Sequence, residues 1–401
     1  MTGLVHFLAL KRNTTLLLVL LVLAGTGERL WLGFAPKYIE WLGGSVLAIG
    51  LFDALQTFLG AIYAYPGGWI TDRVGERKSL FLFNVLSICG YFVVLVWSHW
   101  LAVLLGTFLF LAWSALSLPA TFSVVATALD ARQHTMGIGV QSMVRRVPMM
   151  VGPLIGGILI KHFGWQLGIQ YALLGSIALG LLTALLQWFM VEPVAASAKK
   201  DPPRPLSFFA VVRSFTPVLR ELLVSDILIR FCERIPYAFV VLWAMNHARL
   251  NAEQFSWLVA IEMLTAMLCY IPVAHLADKY GRRPFVLVTF GFFTLFPLTL
   301  LWADSFFGLA LAFAVRGLKE FGEPARKALI IGEAPREIRA RTYGAYYLIR
   351  DCVVTTGSFL GAWLWSISPA HNFLGAALCG LLGTAWFGWF VLRNTPANET
   401  S

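Results

Sequence analysis

The sequence predicts an all-α membrane protein whose twelve transmembrane helices form two six-helix pseudo-symmetric bundles. Three observations support this fold class: an apolar composition, apolar runs of bilayer length and an internal repeat. Of the 401 residues, 58% are hydrophobic and only 13% are charged, and the mean hydropathy is +0.74. Soluble domains have about 25% charged residues, so the composition excludes an ordinary soluble globular protein.

The apolar runs define the helices, because a helix that crosses a bilayer needs about 20 mostly apolar residues. The predicted helices 1 to 12 are residues 14–36, 44–70, 79–97, 100–126, 134–160, 167–190, 222–245, 255–277, 284–302, 306–328, 342–367 and 373–392. They divide the chain into an N-terminal half (1–192), a linker with an amphipathic segment (193–221) and a C-terminal half (222–401).

The basic residues are distributed unevenly across the predicted membrane. The net charge is +10, and most of the 31 Lys and Arg residues fall in links on one side. Only Lys37, Lys161 and Arg249 fall on the other side. Basic links face the cytoplasm, so we expect a multi-pass protein of the cell (inner) membrane with the linker and both termini in the cytoplasm. This distribution indicates a lipid bilayer rather than a nucleic acid as the partner.

A charged link between predicted helices 2 and 3 returns between helices 8 and 9. The first copy contains Gly68, Asp72, Arg73, Gly75, Glu76 and Arg77, and the second contains Asp278, Lys279, Gly281, Arg282 and Arg283. In each copy the glycine permits a sharp turn, and the Asp can accept hydrogen bonds at a helix start. A plain charged turn is the alternative for one copy alone, whereas two copies in matching positions favour a gating hairpin.

The two halves repeat at an offset of about 205 residues. The matching pairs are Glu28 and Glu233, Arg29 and Arg234, Gln56 and Glu262, Pro66 and Pro272, Asp72 and Asp278, Pro119 and Pro324, Gly139 and Gly344, Arg145 and Arg350, Gly152 and Gly357, and Gly156 and Gly361. So many matches in order indicate an internal duplication. Two duplicated halves in one orientation are typical of a transporter whose site lies between them.

Together these features resemble the major facilitator superfamily. The two hairpins resemble the signature of that family between helices 2 and 3. Residues 139–157, which end in Gly152, Pro153, Gly156 and Gly157, resemble the helix 5 motif of its antiporters. The resemblance implies alternating access, a monomer and a central cavity lined by helices 1, 4, 7 and 10.

The sequence also departs from the family pattern at three places. Glu76 stands where the hairpin usually has a base, and Pro148 replaces a glycine of the helix 5 motif. Helix 4 has Thr107 or nearby apolar residues where the family commonly has an Arg. The first departure leaves the hairpin intact, whereas the other two argue against drug–proton exchange.

Charged residues inside the predicted helices are the candidate site, because a charge at the bilayer centre costs several kcal/mol unless it faces a cavity or a partner. The candidate residues of the substrate and proton cavity are Glu28, Arg29, Arg145, Arg146, Glu233, Arg234, Glu262, Arg316, Lys319, Glu320 and Arg350. When Arg230, Glu323 and Asp351 are included, eight bases face six acids. This excess favours an anionic or zwitterionic solute over a plain organic cation, since Arg binds carboxylates through two parallel hydrogen bonds. We expect a small anionic or amphiphilic organic solute.

Roles can be assigned to some of these charges. We expect Arg230, Glu323 and Asp351 to form structural ion pairs. Glu28 and Glu233 lie beside bases and are the favoured proton carriers. The repeat predicts that Glu28 contacts Arg145 or Arg146 and that Glu233 contacts the equivalent base in helix 11, Arg350.

The resemblance implies a secondary active transporter for a small organic solute, with proton-coupled export as the first choice. Proton-coupled uptake of an anionic solute is the alternative, and a non-transporting membrane sensor or scaffold is the alternative of another class. We expect no enzyme, because the His and Cys residues are isolated and no Gly-rich phosphate loop is present. The expected partners are the solute, protons and lipid, with no cofactor and no metal.

Overall fold

The computed structural model describes residues 12–117, 144–189, 208–333 and 338–391, and within these ranges every regular element is helical. We number the long helices α1 (Arg12–Leu32), α2 (Val46–Val74), α3 (Glu76–Val96), α4 (Trp100–Phe110), α5 and α6 (together Arg146–Gln187), α7 (Pro217–Tyr237), α8 (Ala252–Tyr280), α9 (Arg282–Leu300), α10 (Phe306–Leu318), α11 (Arg339–Ile367) and α12 (Pro369–Trp386). This succession confirms the predicted all-α class.

Shorter elements connect these helices. The short helices are Ala35–Trp41, Phe208–Arg213, Val240–Leu242 and Glu323–Glu333, and π-helical turns cover Ala112–Leu116, Trp243–His247 and Phe387–Val391. The backbone of Gly164 has φ +77°, which breaks the helix between α5 (146–163) and α6 (165–187). A positive φ favours glycine, so this residue makes the turn between the predicted helices 5 and 6.

Seven helical segments of the described chain are long and apolar enough to cross a membrane, by length and composition alone. They include α2, α3, α8, α9 and α12, and the apolar α4 and α10 are shorter. The helices α7 and α11 are not among them, and both carry the charged residues that the sequence assigns to the cavity. Their charges therefore need partners or a cavity inside the protein.

Predicted helix 10 is interrupted, which corrects the sequence prediction of one helix over 306–328. The helix α10 ends at Leu318, and a new helix begins at Glu323. Between them Gly322 lies against α9, where its backbone N–H donates to the Thr289 hydroxyl at 2.5 Å. A Cβ on Gly322 would lie 2.4 Å from the Phe285 carbonyl oxygen. The close contact with α9 explains why the chain turns here.

Some sequence predictions fall outside the described residues. They concern Pro119, Gly139, the end of predicted helix 4, the start of predicted helix 5, residues 190–207 of the linker and the C-terminal tail. The side chains of Asp72 and Asp278 also lie outside the described part of the chain.

The chain forms two compact units. Unit 1 comprises Met1–Ser45, Leu59–Lys200 and Asn251–Ala260, and unit 2 comprises Val46–Phe58, Asp201–Leu250 and Ile261–Ser401. The first residues of α2 thus belong to unit 2, and the first residues of α8 belong to unit 1. The predicted boundaries at residues 192 and 222 follow the order of the sequence, and they stay a prediction.

In unit 1, α1 packs along α5 and α6, and α3 packs against α4 and against the same long helix pair. The helix 5 motif lies at the crossing with α1. A Cβ on Gly156 would lie 1.7 Å from the Leu30 carbonyl oxygen, and one on Gly152 would lie 2.5 Å from the Arg29 Cβ. These two glycines therefore permit close helix packing.

In unit 2, α7 packs against α11 and α12, and α9 packs against α12. The crossing of α7 with α11 reproduces the crossing in unit 1. A Cβ on Gly361 would lie 2.2 Å from the Ile235 carbonyl oxygen, and one on Gly357 would lie 3.7 Å from the Arg234 Cβ. Each of these residues is the repeat equivalent of its counterpart in unit 1, so the duplication read from the sequence extends to the helix contacts.

Candidate functional site

Unit 1 contains a small cleft of about 40 Å³ between α1, the π-helical turn Ala112–Leu116 and the start of α5. Its apolar wall includes Leu21, Trp113 and Met149. Its polar lining residues are Glu28, Arg29, Ser114, Ser117 and Arg145. Leu21, Gly25 and Glu28 are spaced by four and three residues on α1, which places them on one face of that helix. The cleft therefore brings three of the predicted cavity residues together.

The charges of this cleft are unevenly matched. The Glu28 carboxylate is buried and hydrogen bonded with Ser114. The bases Arg29 and Arg145 act on it electrostatically, but in the described part of the chain neither has an acidic group within 4 Å. In the described part of the chain, Glu28 therefore does not form the predicted hydrogen bond with Arg145. Two guanidinium groups and one carboxylate leave the cleft with a positive excess.

The acids of unit 2 are paired closely with bases. Glu233 accepts hydrogen bonds from Arg230 at 2.6 Å and from Lys319 at 2.7 Å. Lys319 also lies 3.6 Å from Glu262, which is 3.2 Å from the Arg316 Nε. This chain of ion pairs joins α7, α8 and α10. It differs from the sequence prediction, because Glu233 contacts Lys319 rather than the base of α11.

A second set of ion pairs is centred on Asp226 of α7, which is fully buried. Its carboxylate accepts hydrogen bonds from Arg326, from Arg350 and from the Tyr346 hydroxyl. Arg326 is 2% exposed and also donates to Glu323 at 2.7 Å. The set therefore ties α7 to α11 and to the helix Glu323–Glu333.

Sequence reasoning missed Asp226 and Arg326. A signal was available, because Asp226 precedes Arg230 by four residues and Glu233 by seven, which extends the polar stripe of α7 by one turn. Of the predicted structural pairs, Arg230 lies 3.3 Å from Glu323. Arg350 donates to the neighbouring Asp351 at 2.7 Å.

The first residues of α2 contribute a further ion pair to unit 2, in addition to these two sets. Asp53 is 1% exposed, and its Oδ1 accepts a hydrogen bond from Arg234 Nη1 at 2.9 Å. Its Oδ2 accepts one from the Ser358 hydroxyl at 2.6 Å. The predicted cavity residue Arg234 is therefore paired with an acid near the start of α2.

The remaining predicted cavity residues lie at the edges of these clusters. Arg146 follows Arg145 at the start of α5, and it interacts with another residue. Glu320 is partly buried in the turn after α10 and also has a partner. The roles of all these residues in transport stay predictions.

Both hairpins have the backbone turn that the sequence predicts. Gly75 and Gly281 precede α3 and α9 with φ of +85° and +87°, a region that favours glycine. Arg73 lies 4.0 Å above the Trp69 ring, and Arg77 lies 5.2 Å from the Trp188 ring. The other predicted hairpin residues are Gly68, which is partly buried, Lys279 and Arg282, which are exposed, and Arg283, which is buried. Their gating role stays a prediction.

Several aromatic residues lie beside the charged groups, among them Trp113 and Tyr237. Trp113 lines the cleft of unit 1. In unit 2 the Tyr237 ring lies 4.6 Å below Arg234 and 5.4 Å from Arg316, within the range of a cation–π contact. Trp31 instead packs edge-on against Phe110 in the interior of unit 1.

The model of the Major Facilitator Superfamily matches residues 17–245 and 222–401. The chain is 25% identical to the multidrug resistance protein MdtG of Enterobacter lignolyticus, over 96% of this chain and 94% of that one. It is 22% identical to the class H tetracycline resistance protein of Pasteurella multocida, over 94% and 96% of the two chains.

Among solved structures, the nucleoside transporter NupG superposes with a TM-score of 0.76 over 96% of this chain and 100% of that one, at 14% identity. This similarity concerns the fold. The apolar helices, the repeated crossings, the two hairpins and the match along the chain agree, and the protein is a multi-pass membrane transporter that belongs to the Major Facilitator Superfamily.

Proposed function

We propose that the protein exports a small amphiphilic organic solute across the cell membrane in exchange for protons, as a secondary active transporter that works by alternating access. The observation that carries the proposal is the cleft of unit 1, in which the buried Glu28 lies beside Arg29, Arg145 and Trp113. The names of the relatives MdtG and tetracycline resistance protein describe resistance to drugs, which supports export.

The cleft has the chemistry that exchange requires. A buried carboxylate can hold a proton, or it can hold a donor or cationic group of the solute, and the two ligands compete for the same oxygens. The apolar wall and Trp113 suit the hydrophobic part of the solute. Because solute and proton exclude each other at Glu28, inward proton movement drives the solute outward.

A second candidate is proton-coupled uptake of an anionic solute, and the positive excess of the cleft favours it. An anion bound between Arg29 and Arg145 would reduce their attraction for the Glu28 carboxylate, so that Glu28 would take up a proton more readily. Anion and proton would then bind together rather than in turn. The two candidates therefore differ in the sign of the coupling between solute and proton.

Transport in vesicles of opposite orientation separates the candidates. Tetracycline serves as a zwitterionic probe and fluorescein as an anionic one. Export predicts that everted vesicles with an acidic interior accumulate a probe, and that collapsing the pH gradient releases it. Uptake predicts accumulation only in right-side-out vesicles with an acidic exterior. Accumulation that requires no pH gradient in either orientation would contradict proton coupling.

Matched variants connect this transport to the cleft. Glu28→Gln should abolish gradient-driven accumulation. Glu221→Gln, the same change at an acid of α7 that bonds with Trp386, should leave it unchanged. Equal loss in both variants would show that the effect is not specific to the cleft.

We also propose that both termini lie in the cytoplasm and that the protein is a monomer, which reporter fusions at each end and the mass of the purified protein would test.

A further inference from the structure

The starts of α2 and α8 each cross a helix of the other sequence half, and the two crossings are repeat equivalents. In unit 2, a Cβ on Gly50 of α2 would lie 2.5 Å from the Ala362 Cβ of α11. In unit 1, a Cβ on Gly157 of α5 would lie 2.0 Å from the Ser256 hydroxyl of α8. Small residues at both crossings permit close contact of the helices.

The two crossings differ in charge. At the α2 crossing, Asp53 is hydrogen bonded to Arg234 and Ser358. At the α8 crossing, the Ser256 hydroxyl donates to the Pro153 carbonyl at 2.6 Å, and Val259 is the repeat equivalent of Asp53. The α2 crossing is therefore held by an ion pair whose carboxylate is buried, whereas the α8 crossing has a neutral hydrogen bond at Ser256 and a solvent-exposed ion pair of Lys161 with Glu253.

In the described part of the chain, α2, α7 and α11 present polar or charged groups to Asp53. Arg234 is the cation in contact with it, Ser358 donates from α11, and the charge of Glu233 acts on it from α7. On its own helix, Thr57 donates to the Asp53 carbonyl oxygen. Glu233 is hydrogen bonded to Arg230 and Lys319. The carboxylate that pairs with the Arg234 guanidinium is therefore that of Asp53.

We infer that Asp53 is a further proton-binding residue of the transport cycle, and that its ionisation state decides whether the start of α2 remains packed in unit 2. This inference rests on the proposed function as a proton-coupled transporter. When a proton binds the Asp53 carboxylate, the charge-assisted bond from Arg234 is lost, and this partly buried cation is left without its acid. Release of α2 then becomes easier, because the neutral contact with Ser358 and the packing of Gly50 against Ala362 remain without the ion pair.

Spin-label distances test the inference without a substrate. Labels replace the exposed Leu47 of α2 and the exposed Trp363 of α11, in a full-length variant whose five Cys residues are replaced by Ala or Ser. The distance is measured in lipid discs from about pH 8 to about pH 5. We expect the population with a long distance to grow as the pH falls, and to revert when the pH is raised again.

Three variants identify the group responsible. The double variant Asp53→Asn/Arg234→Gln removes both charges, so it avoids a stranded buried cation and should show no dependence on pH. Ser256→Ala removes the neutral hydrogen bond of the α8 crossing and should keep the wild-type dependence. Ser358→Ala removes a hydrogen bond to the ionised carboxylate, so it should move the midpoint to higher pH.

The outcomes separate this inference from the proposed function. A constant distance in the wild type, or an undiminished pH response in the double variant, would overturn the role of Asp53 even if vesicles transport solute against protons. A response that disappears only in the Asp53 variants would support it even if neither tetracycline nor fluorescein is exported. The midpoint shift in Ser358→Ala distinguishes a proton site from a purely structural contact.

Discussion

The two units carry the same helix crossings, but they treat their buried bases differently. Arg234 in unit 2 has Asp53 as a partner, whereas its repeat equivalent Arg29 in unit 1 has no acid within 4 Å in the described part of the chain. The residue equivalent to Asp53 is Val259. The base is therefore present in both repeats, whereas the acid that pairs with it is present only in the copy that packs in unit 2.

The same difference applies to the bases of α5 and α11. Arg350 contacts Asp226 and Asp351. Its equivalent Arg145 lies in the cleft. The two acids of unit 2 have no acidic counterpart in unit 1: Leu21 stands at the position equivalent to Asp226, and Arg146 stands at the position equivalent to Asp351. Paired charges hold helices together, whereas a base without an acid remains able to bind a solute. Under the proposed function, we expect the charges of unit 2 to serve packing and those of the unit 1 cleft to bind the solute.

The largest effect is expected where a pair of unit 2 is broken. Asp226→Asn removes the carboxylate that Arg326 and Arg350 share and leaves them with Glu323 and Asp351, so it should lower the free energy of unfolding by about 3 kcal/mol. Thermal unfolding of the purified protein measures this, with Glu221→Gln as the control, because the Trp386 partner of Glu221 carries no charge. A melting temperature equal to that of the control would show that the cluster contributes little to stability.

The glycines of the shared crossings should respond alike in the two units. Gly156→Ala and Gly361→Ala each place a methyl group against a backbone carbonyl, and forced overpacking costs about 1–3 kcal/mol. Gly33→Ala is the control, because no atom lies within 4 Å of the added Cβ. Loss of stability in only one of the two variants would break the equivalence of the crossings.

The acids Glu28 and Glu233 should behave differently although they are repeat equivalents. Glu233→Gln weakens contacts to Arg230 and Lys319 and should lower stability by about 1–3 kcal/mol, together with all transport. Glu28→Gln should keep the melting temperature and solute–solute exchange but lose transport driven by a pH gradient. Proteoliposome assays beside thermal unfolding test both. If the two variants show the same pattern, the assignment of packing and recognition to different units is wrong.

The smallest effect is expected when an acid of unit 2 is introduced at the equivalent position of unit 1. Leu21→Asp places a carboxylate in the cleft, where it should pair with Arg145 and weaken fluorescein binding by about tenfold, or roughly 1.4 kcal/mol. Leu21→Asn changes the polarity without the charge, and it serves as the control. Titration of each purified variant with fluorescein gives the affinities. Stronger binding by Leu21→Asp than by Leu21→Asn would contradict anion recognition at this place.

Much of the fold could be predicted from the sequence because its signals are local. Apolar length predicts the helices, and glycine after a charged run predicts the positive φ at Gly75 and Gly281. The equivalence of Gly156 and Gly361 follows from the repeat alone. The break of predicted helix 10 also had a local signal that the prediction did not use, because Gly322 and Pro324 both disfavour a helix interior. The contact of Gly322 with α9 is visible only in the structure.

The ion pairs were harder to predict. Helical spacing shows that Glu233 shares a face with Arg230, but it does not show which helix this face contacts, and the partner across the contact is Lys319. Asp226 and Arg326 lie near the ends of predicted helices 7 and 10, where charged residues are ordinary. Their burial depends on the packing of α7 against α11 and is visible only in three dimensions.

The exchange of the first residues of α2 and α8 between the units has a consequence for biosynthesis. Neither unit is a continuous stretch of chain, so the N-terminal half cannot complete its own packing when it leaves the ribosome. Asp53 and Arg234 are 181 residues apart, and a chain is made at about 5–20 residues per second. For many seconds Asp53 therefore lacks its partner Arg234, and the start of α2 can complete its packing in unit 2 only after α7 has been made.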